Sequence, residues 1–203
     1  MNLLVKFGPL AVAAFLAGCA ASSAAPVLLT LPPVSALPSS GAVPSAASAS
    51  APLLTVRRVG IPEYLVSRRV RFRADAATLA EWPNTYWAER IEIGVSREFV
   101  SALRHELPGW SLCDTNCGDQ SPGLGLTVNL VPMDYVRSTQ QLQARARITL
   151  SGAGTPPKVL QVKELSLETA SPADTAQGQA QAITTLIERV AAEAAMMVRS
   201  TSP

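Results

Sequence analysis

Two runs of strict alternation set the terms for any fold this chain can adopt. Leu124, Leu126, Val128 and Leu130 alternate with Gly125, Thr127 and Asn129. Leu142, Ala144, Ala146, Ile148 and Leu150 alternate with Gln143, Arg145, Arg147 and Thr149. A period of two places each set on its own face of a pleated strand, so both runs predict strands with one buried and one solvated face. Such a sheet needs an apolar partner to cover it. Ile91, Val95, Phe99, Ala102 and Leu103 recur at helical spacing between Arg90 and Leu107, and Pro108-Gly109 stops that run. Ile183, Leu186, Ile187, Val190, Ala194 and Val198 form a second stripe, with Ser171-Pro172 expected as its cap and first-turn pair. Further strands are expected over Leu53 to Ile61 and Val66 to Arg73. In the run after Pro157 the apolar set shifts parity from Leu160 and Val162 to Leu165 and Leu167, predicting a bulge near Lys163. The expected fold is an α/β sandwich: a mostly antiparallel or mixed sheet of five or six strands, with two helices packed on one face.

The N-terminus has a different character. Met1 to Lys6 carries one positive charge, Phe7 to Ala17 is almost wholly apolar, and Leu16-Ala17-Gly18-Cys19 closes the segment. Charge, a short apolar run and small residues in that order make a secretory signal, and the run is too short to span a bilayer. Ending on Cys19 resembles the lipobox of bacterial lipoproteins, which implies a diacylglyceryl thioether on the sulfur, cleavage before it, and acylation of the new amine. Several acyl chains, at ~0.8 kcal/mol per buried methylene, anchor a protein stably where one chain does not. Ala20, in place of an aspartate, favours the outer membrane by analogy with enteric sorting. Residues 1–18 are therefore expected to be signal, 19–52 an acylated tether, and 53–203 the folded domain.

The tether is dominated by Ala, Ser and Pro, a composition that buries too little apolar surface to offset chain ordering. Val27-Leu28-Leu29-Thr30-Leu31-Pro32 interrupts it and suits a short strand, near 27–31, that docks back on the domain. Seventeen Lys and Arg face 15 Asp and Glu, and loss of Lys6 with the signal leaves a charge near +1, which implies no nucleic-acid partner.

Further residues carry a family likeness: the Leu-Pro strand Leu28 to Pro32, then Val59 to Leu65 (Val-x-Ile-Pro-x-Tyr-Leu), Trp87-Ala88-Glu89 opening a helix, and Leu107-Pro108-Gly109-Trp110 closing it. In this order the chain resembles the ABC-type transport auxiliary lipoproteins, or PqiC family. It departs from the pattern at Val27-Leu28, where a Tyr pair is usual. The resemblance implies a non-enzymatic subunit without cofactors, serving a system built on an MCE-domain protein. Such systems move lipids or other hydrophobic molecules between membranes and maintain envelope integrity. The periplasmic MCE protein is the implied partner, and the resemblance also allows a homo-oligomer.

Several residues invite chemistry. Cys113 and Cys117 form an even pair in an oxidising compartment, where a structural disulfide is expected. The alternative is a redox thiol pair, although three residues intervene where C-x-x-C is wanted. Asp114-x-Asn116-x-Gly118-Asp119 resembles a calcium loop but lacks its bidentate Glu at the twelfth position, so no metal site is expected. His105, the lone histidine, reads as a solvated residue near the end of the first helix rather than a base. Arg69, Arg71 and Arg73 share one strand face, which suits anionic headgroups or an acidic partner, or else a solvated sheet face neutralised by nearby carboxylates. Trp82-Pro83-Asn84-Thr85-Tyr86 reads as a loop, making Trp82 and Tyr86 candidate anchors for a partner. Against the adaptor stand two other readings: a periplasmic thiol-redox enzyme using Cys113 and Cys117, and a lipoprotein that itself carries a lipid.

Overall fold

Strand β6 (Leu124–Val136) is the spine of the molecule. The computed structural model describes residues 25–34, 51–114, 117 and 122–201. Along one edge β6 pairs antiparallel with β7 (Gln141–Gly152), which pairs in turn with β8 (Val159–Ala170). Along its other edge the first half takes β2 (Leu53–Val56) in parallel, and its last residue, Val136, takes Arg73 of β3 (Arg69–Arg73). Beyond β2 lies β5 (Ser111–Cys113), and beyond β3 lie β4 (Leu79–Trp87) and then β1 (Val27–Leu29). The described residues thus form one open, mixed sheet of eight strands.

The predicted alternation decides which face is covered. Leu126, Val128 and Leu130 of β6 and Leu142, Ala144, Ala146, Ile148 and Leu150 of β7 are buried, while Asn129, Arg145 and Arg147 are exposed. A register shift between Leu130 and Met133 keeps Met133 and Tyr135 on the buried face beyond the predicted run. Helices α1 (Ile91–Glu106) and α2 (Ala176–Thr201) pack side by side against that face. Val95, Phe99 and Leu103 from α1 join Ile183, Leu186, Ile187 and Val190 from α2 in one core. At roughly 1.5–3 kcal/mol per large buried side chain, this shared core is the main term holding helices to sheet.

Three local expectations are corrected. The cap of α2 is Thr175, whose hydroxyl accepts the Gly178 N–H at 3.0 Å; Ser171-Pro172 lies in the preceding turn. That turn presses on the helix so closely that a Cβ at Gly178 would overlap the Ala173 carbonyl. Strand β8 has no bulge at Lys163, which pairs regularly with Ile148; the register slips instead between Gln161 and Val159. The parity change has another cause. Lys163 pairs with Glu193, and Gln161 donates to Thr201 at 2.9 Å, so polar residues face α2 and Leu160 and Val162 turn to solvent. Finally, Trp82 to Tyr86 is strand, not loop. Pro83 and Asn84 (φ 49°) look like turn residues but sit where β4 carries an irregularity opposite Arg69 to Arg71. The pairing with β1 begins only at Thr85, so the missing N–H of Pro83 disrupts no ladder there.

Candidate functional site

A short segment on the C-terminal side of the proposed lipid site, residues 25–34, is built into the domain. Cys19 itself lies outside the described residues. Residues 25–34 are held to the domain by a series of contacts. Asn84 Nδ2 donates to the Ala25 carbonyl at 3.0 Å, and β1 runs parallel to β4 with Val27 opposite Thr85. Ala88 N–H then donates to the Leu29 carbonyl at 2.7 Å. Beyond the strand the chain crosses onto both helices. Leu29, Leu31 and Val34 are buried, the Thr184 hydroxyl of α2 donates to the Pro32 carbonyl at 3.0 Å, and Glu98 of α1 accepts the Val34 N–H at 3.2 Å. Prolines at 32 and 33 suit this path, since an extended strap has no ladder for them to interrupt.

Glu98 is a buried carboxylate, and such a charge is tolerable only when paired and hydrogen-bonded. Arg97 Nε donates to its other oxygen at 2.9 Å and also reaches Glu89. Hydrogen bonds to Glu89 and then Glu98 hold the Arg97 guanidinium above its ordinary pKa. The Thr184 hydroxyl and the Glu98 carboxylate therefore fix the strap where Leu31 and Val34 fill the surface of the helix pair.

The arginine face is where the sequence puts it, but it is largely neutralised. Val70 and Phe72 are buried, and Arg69, Arg71 and Arg73 line the opposite side. Arg69 and Arg71 both pair with Glu81 at 3.2 Å, and Arg73 pairs with Asp134 at 2.9 Å. Arg71 also donates to the Tyr64 carbonyl at 2.7 Å, and the Tyr64 hydroxyl donates to Asp134 at 3.0 Å. Burial first, and then the Asp134 hydrogen bond, push the Tyr64 phenol above the usual tyrosine range, with Arg73 acting in the other direction. Arg69, half exposed, lies 5.3 Å over the Tyr86 ring.

Trp82 is not a surface anchor. It is 8% exposed, tilts against Phe72 with ring centroids 5.0 Å apart, and donates from Nε1 to Gln179 Oε1 at 2.7 Å. Gln179 in turn donates to the Arg71 carbonyl at 2.8 Å, fastening β3 and β4 to α2. Over Trp82, at 4.5 Å, lies Arg137, which also pairs with Asp174 at 3.1 Å. Tyr86 is half-buried.

Cys113 and Cys117 are joined as a disulfide, Cα atoms 5.3 Å apart, with the Thr55 hydroxyl 3.6 Å from one sulfur and 3.5 Å from the other. It follows directly on β5. Of the loop weighed as a calcium site, Asn116, Gly118 and Asp119 lie outside the described residues. His105 is exposed near the end of α1.

One surface was missed. Val159, Leu160 and Val162 on the outer strand β8 are exposed, as is Met196 on α2, and Val162 and Met196 border a shallow groove with Gln161 and Ser200. The parity change in β8 was its signal in the sequence, and it indicated exposure rather than a bulge.

The chain matches the family described as ABC-type transport auxiliary lipoprotein component over residues 35–195. Among solved structures, the crystal structure of an uncharacterized protein superposes with a TM-score of 0.68 at 17% identity, over 86% of this chain and 99% of its own. A Xanthomonas campestris protein of the DUF330 family gives 0.59 at 12% identity, over 76% and 94%. At these identities the likeness is one of fold. No curated protein matches the sequence.

Proposed function

Since this chain belongs to the ABC-type transport auxiliary lipoprotein family, we propose that it is the lipid-anchored adaptor of an envelope transporter, acting by binding and positioning. In this reading Cys19 carries the acyl chains that hold it at the outer membrane. The folded domain, 53–203 with the strap 27–34, docks a periplasmic MCE-domain protein that moves lipids or other hydrophobic molecules between membranes. The observation that carries the reading is the strap. A chain meant only to restrain a domain loosely gains nothing from burying Leu29, Leu31 and Val34 and bonding to Glu98 and Thr184. A chain that transmits position from a membrane to a binding surface does.

For the partner contact, the exposed apolar group on β8 is a better candidate than the residues singled out from sequence. Trp82 is spent in the core, and Arg71 and Arg73 are engaged by carboxylates. Val159, Leu160 and Val162 on an edge strand, and Met196 on the neighbouring helix α2, are large, apolar and open to solvent, features that mark a protein contact. A photo-crosslinking residue at Leu160, compared with one at Arg145, tests this in intact cells. The reading expects a crosslink from position 160 to an MCE-domain protein; crosslinks to such a protein from neither position would contradict it.

A further inference from the structure

We propose that the bilayer covers one end of this domain, the end formed by the turns at 74–78, 137–140 and 171–175, and that the long Ala/Ser/Pro stretch adds nothing to the domain's reach. The proposal deepens the adaptor reading and rests on Cys19 carrying the anchor.

Strand direction identifies the end. β1 runs parallel to β4, so the chain followed backwards from Leu29 to Ala25 heads toward Leu79, the first residue of β4. Leu79 pairs with Arg73, Arg73 with Val136, Val136 with Gln141, and Gln141 with Ala170. The three turns that follow or precede these residues therefore cluster on the side from which the anchor departs. Ala25 is only six residues after Cys19, a contour of at most ~22 Å. At the other end of the sheet Leu124 pairs with Gly152, and the turn 153–158 follows. At about 3.3 Å per residue along β6, that turn is roughly 40 Å from the anchored end.

The leash is therefore shorter than the domain it holds. Residues 19–52 as a single undocked tether would allow a contour of ~120 Å. But the strap seats Val34 on α1, and Leu53 begins β2, so both ends of the intervening stretch belong to the domain.

The chemistry of the anchored end permits close approach. Arg137 is paired with Asp174, and Arg73 with Asp134, so the one net charge left on these turns is the carboxylate of Asp75. Asp75 is occupied within its own turn, accepting the N–H groups of Ala77 and Thr78 at 2.9 Å. The exposed Val27 and Leu28 lie beside the point of departure. The apolar group on β8 around Val159 and Leu160 lies at the far end, pointed away from the lipid.

The test uses the full-length lipidated protein in phosphatidylethanolamine–phosphatidylglycerol vesicles that carry an acceptor-labelled lipid. A donor dye is placed at Ser138→Cys, in the anchored end, or at Lys158→Cys, in the far end. Energy transfer from position 138 is expected to exceed that from 158 several-fold. A ~20-residue Gly/Ser insertion after Ala20 should lower transfer from 138, while the same insertion after Ser40 should leave it unchanged. Equal or greater transfer from 158, or a fall caused by the insertion after Ser40, overturns the proposal. If the unlabelled protein does not float with the vesicles at all, the anchor reading fails and takes this proposal with it; flotation with inverted transfer overturns the orientation alone.

Discussion

The Glu98 carboxylate on α1 accepts the backbone N–H of Val34 at 3.2 Å, joining the strap to the helix pair across 64 residues of sequence. Both groups are buried, so neither finds water if the other is removed. Glu98→Ala strands the Val34 N–H and frees Arg97, and should cost about 1–3 kcal/mol in chemical denaturation. The more specific expectation is local. Amide exchange should accelerate at Leu29 and Val34 more than in the centre of β6 or β7. Uniform acceleration would mean that the strap is not a separable element.

Trp82 and Tyr86 should behave oppositely to a pair of partner anchors. Trp82→Ala empties a core position and orphans Gln179 Oε1, with an expected loss of ~3–5 kcal/mol. At about 2–4 °C per kcal/mol for a chain of this size, the fall in Tm is easily measured. Tyr86→Ala removes a half-buried ring under Arg69 and should cost ~1 kcal/mol. A Trp82 variant of native stability would return this residue to the surface.

What could be read from the sequence, and what could not, divides along the range of the interactions. The runs 124–130 and 142–150 and both helical stripes were legible because burial on one face imposes a local period. The cover of the sheet by two helices follows from those periods. Strand β5 has only three residues, too few to show a period, and β4 hides behind Pro83 and Asn84, which serve an irregularity instead of a turn. Partners of charge were hardest. Glu81 is near Arg71 in sequence, but Asp134 reaches Arg73, and Glu98 reaches Val34, only because β6 and α1 bring them there. The strap's strand was visible as an apolar island. That its docking shortens the leash was not, because it depends on what Leu31 and Val34 touch.

The Cys113–Cys117 bridge closes a small ring, so its removal should lower stability by only about 2 kcal/mol in a chain-entropy account. The Cys113→Ser/Cys117→Ser double variant should fold, keep its anchor and still capture its partner. Loss of function with an unchanged fold would favour the thiol-redox reading over the adaptor.

Tyr64 supplies a pH signature. Its phenol is raised by burial and by the hydrogen bond to Asp134, so the fold favours the protonated form. That contribution is complete below the unfolded tyrosine pKa and is lost as pH rises through the higher folded value. The absorbance at 295 nm of wild type minus Tyr64→Phe should therefore titrate above free tyrosine. The stability difference between the two proteins should shrink across the same alkaline window. A difference titration at or below the free value would contradict the Tyr64–Asp134 geometry.

The most direct test of the adaptor account is complementation by Cys19→Ser in a strain lacking the protein, scored as resistance to detergent with the chain followed by fractionation. The account predicts a folded, soluble periplasmic domain, present at normal level, that fails to restore envelope integrity. Full restoration by that soluble form would show that the domain works without the membrane, and the anchored adaptor would be wrong.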